Sequence, residues 1–156
     1  MLASYKEFEK EQVLSLPEEE DGKPVLVFYQ FKHEITRIQQ ALKGYCVEVM
    51  NDDSCIDRWN RGEIPILLAH PASTAYGLNM QQGGNIIIWY GLNWALELYQ
   101  QANARLNRQG QTKPVHIYHL LVSGTMDVEV AKALTGKVAT QDGLMNAIKA
   151  VVGRYR

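Results

Sequence analysis

The 156-residue chain has the length and composition of one compact domain. Hydrophobic residues make up 46% of the sequence, which excludes an intrinsically disordered chain. Apolar runs such as residues 86–90 are far shorter than the roughly 20 residues that span a bilayer, and the polar, acidic start is unlike a signal sequence. We therefore expect a cytoplasmic protein with no membrane partner. Cys46 and Cys55 lack metal-ligand spacing, so we expect reduced thiols and no metal site.

Acidic residues are concentrated at the start of the chain. Residues 1–24 hold seven of the 17 acidic residues but three of the 16 basic ones. Residues 3–16 have an amphipathic pattern that predicts a separate helix, which Pro17 ends, and the acidic run after it predicts a solvated linker. This divides the chain into a helix and linker (residues 1–24) and a domain (residues 25–156). The mildly basic domain is compatible with contacts to a nucleic-acid backbone.

Short apolar runs alternate with helical patterns along the predicted domain. Strands are predicted at residues 25–29, 46–50, 64–70, 85–90 and 115–121. Helices are predicted at residues 32–42, 54–60, 94–109, 126–134 and 144–152. Strands that are almost continuously apolar are typical of a parallel sheet covered on both faces. The pattern therefore predicts an α/β fold, with an open parallel sheet of five or more strands and helices on both faces.

Ligands of open α/β sheets bind beyond the carboxyl ends of the strands, which here are followed by residues 30–33, 70–79 and 91–94. Gln30 and His33 lie at a predicted helix start, where free N–H groups attract phosphate. They are therefore either nucleic-acid contacts or an ordinary polar cap. His70 has no partner at metal-ligand spacing and is expected to be a hydrogen-bonding residue that closes a buried strand.

Residues 101–111, QANARLNRQGQ, contain the most distinctive polar pattern of the chain. Gln101, Arg105 and Arg108 have the spacing i, i+4 and i+7, which predicts one polar face of a helix that ends before Gly110. Guanidinium groups bind phosphate oxygens through paired hydrogen bonds and stay charged at physiological pH. The pattern predicts a site for a multiply charged anion such as a triphosphate, and the alternative is a solvated helix face.

Three motifs resemble those of a known family. They are Phe28-Tyr29-Gln30-Phe31, Gly77-Leu78-Asn79-Met80, and the set Gln101, Arg105, Arg108, Gly110 and Gln111, with Trp94 shortly before the last set. With these, residues 25–134 resemble the second RecA-like lobe of Swi/Snf-type ATPases of helicase superfamily two, especially phage and prophage members. The departures are Tyr29 in place of Ser, His70-Pro71 in place of Ser-Thr, Ser73-Thr74-Ala75 in place of Ala-Gly-Gly, and Asn93-Trp94-Ala95-Leu96 in place of Asp-Trp-Asn-Pro. Residues 18–23 also replace a longer family segment, which suggests a deletion.

The resemblance implies a P-loop NTPase-type fold and a role for each matching residue. Arg105 and Arg108 would be catalytic arginine fingers, and Gln101, Gly77 and Asn79 would lie at the nucleotide. The residues expected to contact nucleic acid are Gln30, His33, Ser73, Thr74 and Trp94. The chain has no GxxxxGK[ST] loop and no Asp-Glu pair after an apolar strand. ATP and Mg²⁺ would therefore be held mainly by an absent first lobe, and this chain alone is expected to be inactive.

The resulting hypothesis is the second motor lobe of an ATP-dependent DNA helicase or translocase. Its expected partners are the first RecA-like lobe, in the same polypeptide or a separate chain, and double-stranded DNA. An alternative is a stand-alone, non-catalytic module that binds nucleic acid or protein. An unrelated Rossmann-like domain is disfavoured because residues 29–33 stand where a GxGxxG motif would open the first helix.

Overall fold

A computed structural model describes residues 3–9, 22–74, 77–121, 125–136 and 140–154. The described residues form a six-stranded, entirely parallel sheet in the order β1-β6-β5-β2-β4-β3. The strands are β1 (Ala3–Glu9), β2 (Val25–Phe28), β3 (Val47–Val49), β4 (Ile66–Ala69), β5 (Ile86–Trp89) and β6 (Val115–Leu121). The helices are α1 (Lys32–Ala41), α2 (Ser54–Asn60), α3 (Leu96–Asn103), α4 (Met126–Thr135) and α5 (Gln141–Arg154), and a 3-10 turn spans Pro71–Thr74.

The sheet is buried on both faces, which explains its almost continuously apolar strands. One face of β2 and β5 packs against α2, α3, α4 and α5, with Trp59 and Trp89 fully buried in this layer. The other face packs against Ile38 of α1. The predicted α/β fold with helices on both faces is therefore confirmed. Among the described residues, no helix is long and apolar enough to cross a membrane.

Residues 3–9 form a strand, so the predicted amphipathic helix over residues 3–16 is wrong for this segment. Strand β1 pairs in parallel with β6 along its whole length, from Ala3 opposite Val115 to Glu9 opposite Leu121. Tyr5 and Phe8 favour strands, and β6 offers a seven-residue edge. Pairing with β6 therefore overrides the local helical pattern. Residues 10–16, Pro17 and the predicted linker up to residue 21 lie outside the described residues, and the domain boundary at residue 24 stays a prediction.

Helix α3 ends at Asn103, six residues before the predicted end. The chain continues as successive turns, in which the Arg108 N–H donates to the Leu106 carbonyl only two residues earlier. The Leu106 carbonyl also accepts a hydrogen bond from the Gln111 side chain, whereas a continued helix would give it the N–H of Gly110. Arg105 and Arg108 therefore do not lie on a helical face, and the predicted helical stripe is wrong. We call residues 104–111 the arginine bend.

Candidate nucleotide and nucleic-acid sites

Strands β5, β2 and β4 are neighbours in the sheet and run in parallel, so the loops that follow them lie side by side. We call these loops, residues 30–33, 70–74 and 91–94, the carboxyl edge. A hydrogen bond of 3.3 Å from the Gln30 side-chain amide to the Gly91 carbonyl joins two of them. The residues predicted to contact nucleic acid all lie on this edge: Gln30, His33, Ser73, Thr74 and Trp94.

Three of the five residues are open to solvent. Trp94 is 50% exposed, and its carbonyl accepts a hydrogen bond from Gln141 of α5. The exposed His33 ring stacks on Phe31, with centroids 5.6 Å apart and an interplanar angle of 8°, while Phe31 itself is 63% exposed. Ser73 is exposed, and its hydroxyl donates to the His70 carbonyl. The carboxyl edge thus presents aromatic rings and a hydroxyl.

Thr74 is not available for a direct contact, which corrects its prediction as a nucleic-acid residue. Its side chain is fully buried, and its hydroxyl donates to the Pro71 carbonyl at 2.9 Å. The 3-10 turn after β4 directs this residue inward and leaves its neighbour Ser73 outside. Thr74 therefore stabilises the turn.

The start of α1 is capped by its own chain. The N–H groups of Gln30 and Phe31 donate to one carboxylate oxygen of the buried Glu34, at 2.7 and 3.2 Å. These N–H groups are therefore not free to bind phosphate, and the ordinary polar cap describes them. The sequence signal for Glu34 is a glutamate three residues after the N-cap residue, Phe31, which precedes α1, and this signal was not recognised.

Two of the departures from the family pattern lie in contact. The ring of Tyr29 meets the ring of His70 edge-on, with centroids 5.7 Å apart and an interplanar angle of 71°. His70 Nδ1 accepts a hydrogen bond from the Ala72 N–H at 3.1 Å, as expected for a hydrogen-bonding residue at a strand end. Burial raises the pKa of Tyr29. The two aromatic residues therefore accommodate each other across β2 and β4.

Arg105 and Arg108 are both half-buried in the arginine bend. Burial lowers the pKa of Arg105, and the positive charge of Arg108, three residues along the chain, lowers it further. Among the ion pairs of the described residues, none involves Arg108. Two arginines three residues apart on one bend, with Arg108 outside these ion pairs, are an arrangement that an anion with several oxygens would stabilise.

The other residues predicted at the nucleotide lie on different elements. Gln101 of α3 donates to Glu97 one turn earlier, at 3.0 Å. Gly77 and Asn79 lie on the segment between β4 and β5. Gly77 has a φ of 77°, a backbone angle that residues other than glycine rarely adopt. The Asn79 carbonyl accepts a hydrogen bond from Asn60. This segment continues to residues 81–84, which contact the arginine bend.

Gln111 makes that contact, and its sequence pattern predicted no role for it beyond its match to the motif. Its side-chain N–H₂ group lies 3.2 Å from the Gln81 carbonyl, 3.0 Å from the Gly84 carbonyl and 3.1 Å from the Leu106 carbonyl. The signal in the sequence was a glutamine just beyond two arginines and a glycine, but the pattern did not reveal what the amide contacts. No group of three or more His, Cys, Asp or Glu residues within the described ranges could hold a metal ion.

Comparisons with curated proteins identify relatives of the chain, although no family model matches it. The putative protein p41 of Acyrthosiphon pisum secondary endosymbiont phage 1 is 40% identical over 141 residues, covering 86% of this chain and 30% of the relative. Helicase swr1 of Schizosaccharomyces pombe is 27% identical over 138 residues, covering 79% and 11%. The chromatin-remodeling ATPase INO80 of Neurospora crassa is 29% identical over 132 residues, covering 78% and 7%. The chain thus spans less than a third of each relative.

Comparison with solved structures identifies a protein with a similar fold. The C-terminal part of the Fun30 ATPase domain superposes with a TM-score of 0.70 at 18% sequence identity, covering 94% of this chain and 52% of that one. Identity this low shows a shared fold alone, whereas the curated relatives show shared ancestry with ATPases. The chain is therefore a relative of Swi/Snf-type ATPases and has the RecA-like fold of their C-terminal lobe.

Proposed function

We propose that this chain is the second motor lobe of an ATP-dependent DNA helicase or translocase. The observation that carries the proposal is the arginine bend, which holds Arg105 and Arg108 on one turn of chain fixed by Gln111, and in which Arg108 takes part in none of the ion pairs of the described residues. Relatives named as helicases and remodelling ATPases support this class of activity. Each of them is much longer than this chain, so the activity of the whole protein belongs to the proposal.

The two arginines act on phosphate oxygens held by a partner lobe. That lobe, in the same polypeptide or in a separate chain, supplies the phosphate-binding loop and the Mg²⁺ ligands. When the lobes close, Arg108 and Arg105 donate hydrogen bonds to the γ-phosphate oxygens and stabilise the charge that the transition state spreads over them. An arginine finger of this kind is worth about 10³ to 10⁵ in turnover. Gln101, Gly77 and Asn79 are proposed to border the nucleotide.

The carboxyl edge is proposed to contact double-stranded DNA. His33, Ser73 and Trp94 are exposed and lie on neighbouring loops, and Gln30 holds two of these loops together. The His33 imidazole donates to phosphate oxygens, and exposed aromatic rings pack against sugars or bases. The Ser73 hydroxyl, whose one proton goes to the His70 carbonyl, faces DNA with its oxygen. In this proposal the carboxyl edge binds DNA and the arginine bend binds the phosphates of ATP.

The isolated chain is expected to show neither ATP turnover nor tight ATP binding. Two guanidinium groups that are partly open to water gain little over their hydration, so we expect an ATP dissociation constant above about 1 mM. Calorimetry with the purified chain measures this value. A micromolar constant would instead favour a stand-alone binding module.

The decisive experiment replaces Arg108 by lysine in the two-lobed ATPase, formed by this chain with its P-loop lobe. Lysine keeps the charge but loses the planar fork, so turnover should fall about a hundredfold or more, equivalent to roughly 3 kcal/mol for one directed donor. DNA affinity should barely change. Arg37→Lys, on the exposed surface of α1, is the matched control and should leave both quantities unchanged. If Arg108→Lys weakened DNA binding tenfold at normal turnover, Arg108 would be a DNA-backbone contact.

A further inference from the structure

We infer that Gln111 is a positioning residue that holds Arg105 and Arg108 in place for the nucleotide. The inference rests on the proposed function for the use of the arginines, but the contact itself stands on geometry. One side-chain amide links the arginine bend to Gln81 and Gly84, which lie 30 and 27 positions before Gln111 in the chain.

The hydrogen bonds of Gln111 use both ends of its amide. The N–H₂ group donates to the carbonyls of Gln81, Gly84 and Leu106. An amide has two N–H donors, so one of them is shared between two carbonyls. The amide oxygen accepts the N–H of Lys113 at 3.2 Å. A half-buried side chain whose donors and acceptor are all engaged in this way has one defined position.

We call the hydrogen bonds of Gln111 the brace. The arginine bend depends on the brace because no helix or strand includes these residues. Helix α3 ends at Asn103, and beyond it the backbone bonds are short-range turns, including one from Arg108 to Leu106. Within the bend, the fully buried Leu106 anchors the chain between the two arginines. Because Gln111 binds the carbonyl of this residue, it fixes the segment that carries Arg105 and Arg108.

The partner of the brace is itself held rigidly. The Trp59 indole N–H donates to the Met80 carbonyl at 2.9 Å, and Gly83 lies against the same indole ring. Asn60 holds the Asn79 carbonyl at 2.7 Å. Residues 79–84 are thus held in place by α2. Because Gln111 is hydrogen-bonded to residues 81 and 84, it limits the movement of the arginine bend as well. The consequence is that the guanidinium groups are oriented before any nucleotide arrives.

The first test measures the brace in this chain alone, by hydrogen exchange of backbone amides. Gln111→Met keeps the side-chain length and removes the donors, and Gln109→Met is the matched control because Gln109 is exposed in the same bend. The amides of Arg105, Leu106 and Asn107 should exchange about tenfold faster in Gln111→Met, with β5 amides unchanged. Gln111→Glu, which keeps the acceptor for Lys113, should behave like Gln111→Met. Unchanged exchange in the bend overturns the inference.

The second test measures turnover in the two-lobed ATPase. Gln111→Met should lower kcat about tenfold or more, because small misplacement of a catalytic group is costly, while the affinity for DNA and the KM for ATP stay near their original values. A merely structural role would instead lower thermal stability and DNA affinity together. If Arg108→Lys lowers kcat and Gln111→Met does not, the positioning role is overturned and the proposed function stands. If Arg108→Lys leaves kcat unchanged, the proposed function fails, whereas faster exchange in the bend still supports the brace.

Discussion

At both the carboxyl edge and the arginine bend, one side chain binds backbone groups that would otherwise face a ligand. These groups are N–H donors at the edge and carbonyl oxygens at the bend. At the edge, the Glu34 carboxylate takes up backbone N–H groups that could otherwise bind phosphate. At the bend, the Gln111 amide takes up backbone carbonyls that would repel an anion. What remains at the edge is a surface of rings and a hydroxyl, and what remains at the bend is a pair of cations. The internal hydrogen bonds therefore decide which chemistry each region offers to a ligand.

The largest effect should come from breaking the support of the bend with Gly83→Ala. A Cβ atom at this position would lie 2.2 Å from Trp59 Nε1, so the indole must move and lose its bond to the Met80 carbonyl. We expect a loss of about 3 kcal/mol in the free energy of unfolding, measured by urea denaturation.

The control for this change is Gly153→Ala, because nothing lies within 4 Å of its added Cβ atom and the residue is in α5. It should be neutral, or stabilising by up to about 1 kcal/mol. Equal stability of Gly83→Ala and the original chain would show that residues 79–84 are not rigid, which would remove the basis of the comparison.

Acid should weaken the side of the molecule that carries the bend. The Tyr99 hydroxyl of α3 lies 2.8 Å from His119 Nε2 on β6, and burial lowers the pKa of His119 to about 4. The unfolded chain binds this proton near pH 6.5, so it binds more protons than the folded chain between these values. Stability should therefore be full above pH 6.5 and fall by about 3 kcal/mol as the pH drops to about 4.

Two variants separate this effect from the titration of carboxylates. His119→Gln removes the buried titrating group and should flatten the dependence of unfolding free energy on pH between 6.5 and 4. Gln109→Met, a change of an exposed residue that does not titrate, should leave the slope unchanged. Identical slopes in all three proteins would show that His119 does not contribute to acid sensitivity.

The sequence predicted the strands of the sheet well because burial on both faces leaves a strong apolar signal. Strand β6 matches its predicted range in full, and β2 and β5 match to within one residue at each end. The failures lie where long-range contacts override local pattern. Strand β1 depends on the free edge of β6, and the bend depends on an amide that reaches residues 81–84. Neither contact leaves a periodic signal near the residues it changes.

The candidate site was predictable in residue type but only partly in geometry. The arginines lie on the same bend, although not on a helix. Thr74 could not be distinguished from Ser73 by sequence, because the turn after β4 alone decides which hydroxyl is buried. Gln111 and Trp59 act through backbone groups, so no pairing of side-chain types in the sequence pointed to them. Glu34 also acts on backbone groups, and its only signal was its place three residues after the N-cap.

A change at the carboxyl edge should affect DNA affinity without changing the bend. Trp94 is half exposed, so Trp94→Ala should weaken DNA binding by about 1 kcal/mol. This is the lower end of the roughly 1 to 3 kcal/mol for stacking on a single-stranded base, because the base faces of a duplex are already stacked. Fluorescence anisotropy with a labelled duplex measures this loss in the two-lobed ATPase. Turnover at saturating DNA should stay within about twofold, since no atom of the bend is altered. A large fall in that turnover would mean that the two regions are not separate in function.

The smallest expected effect on stability concerns the cap at the start of α1. Glu34→Gln keeps the size of the side chain but removes the charge that accepts the N–H groups of Gln30 and Phe31. A neutral amide oxygen is a weaker acceptor near the positive end of a helix, so stability should fall by about 1 kcal/mol. The matched control is Glu97→Gln, because Glu97 is an exposed residue of α3. Its carboxylate accepts only from Gln101 among the described hydrogen bonds. If the cap is what keeps phosphate away from these N–H groups, Glu34→Gln should also bind DNA slightly more tightly, because two donors become available and one negative charge is lost. Weaker DNA binding, measured by the same anisotropy assay, would instead show that Glu34 arranges the carboxyl edge for DNA rather than competing with it.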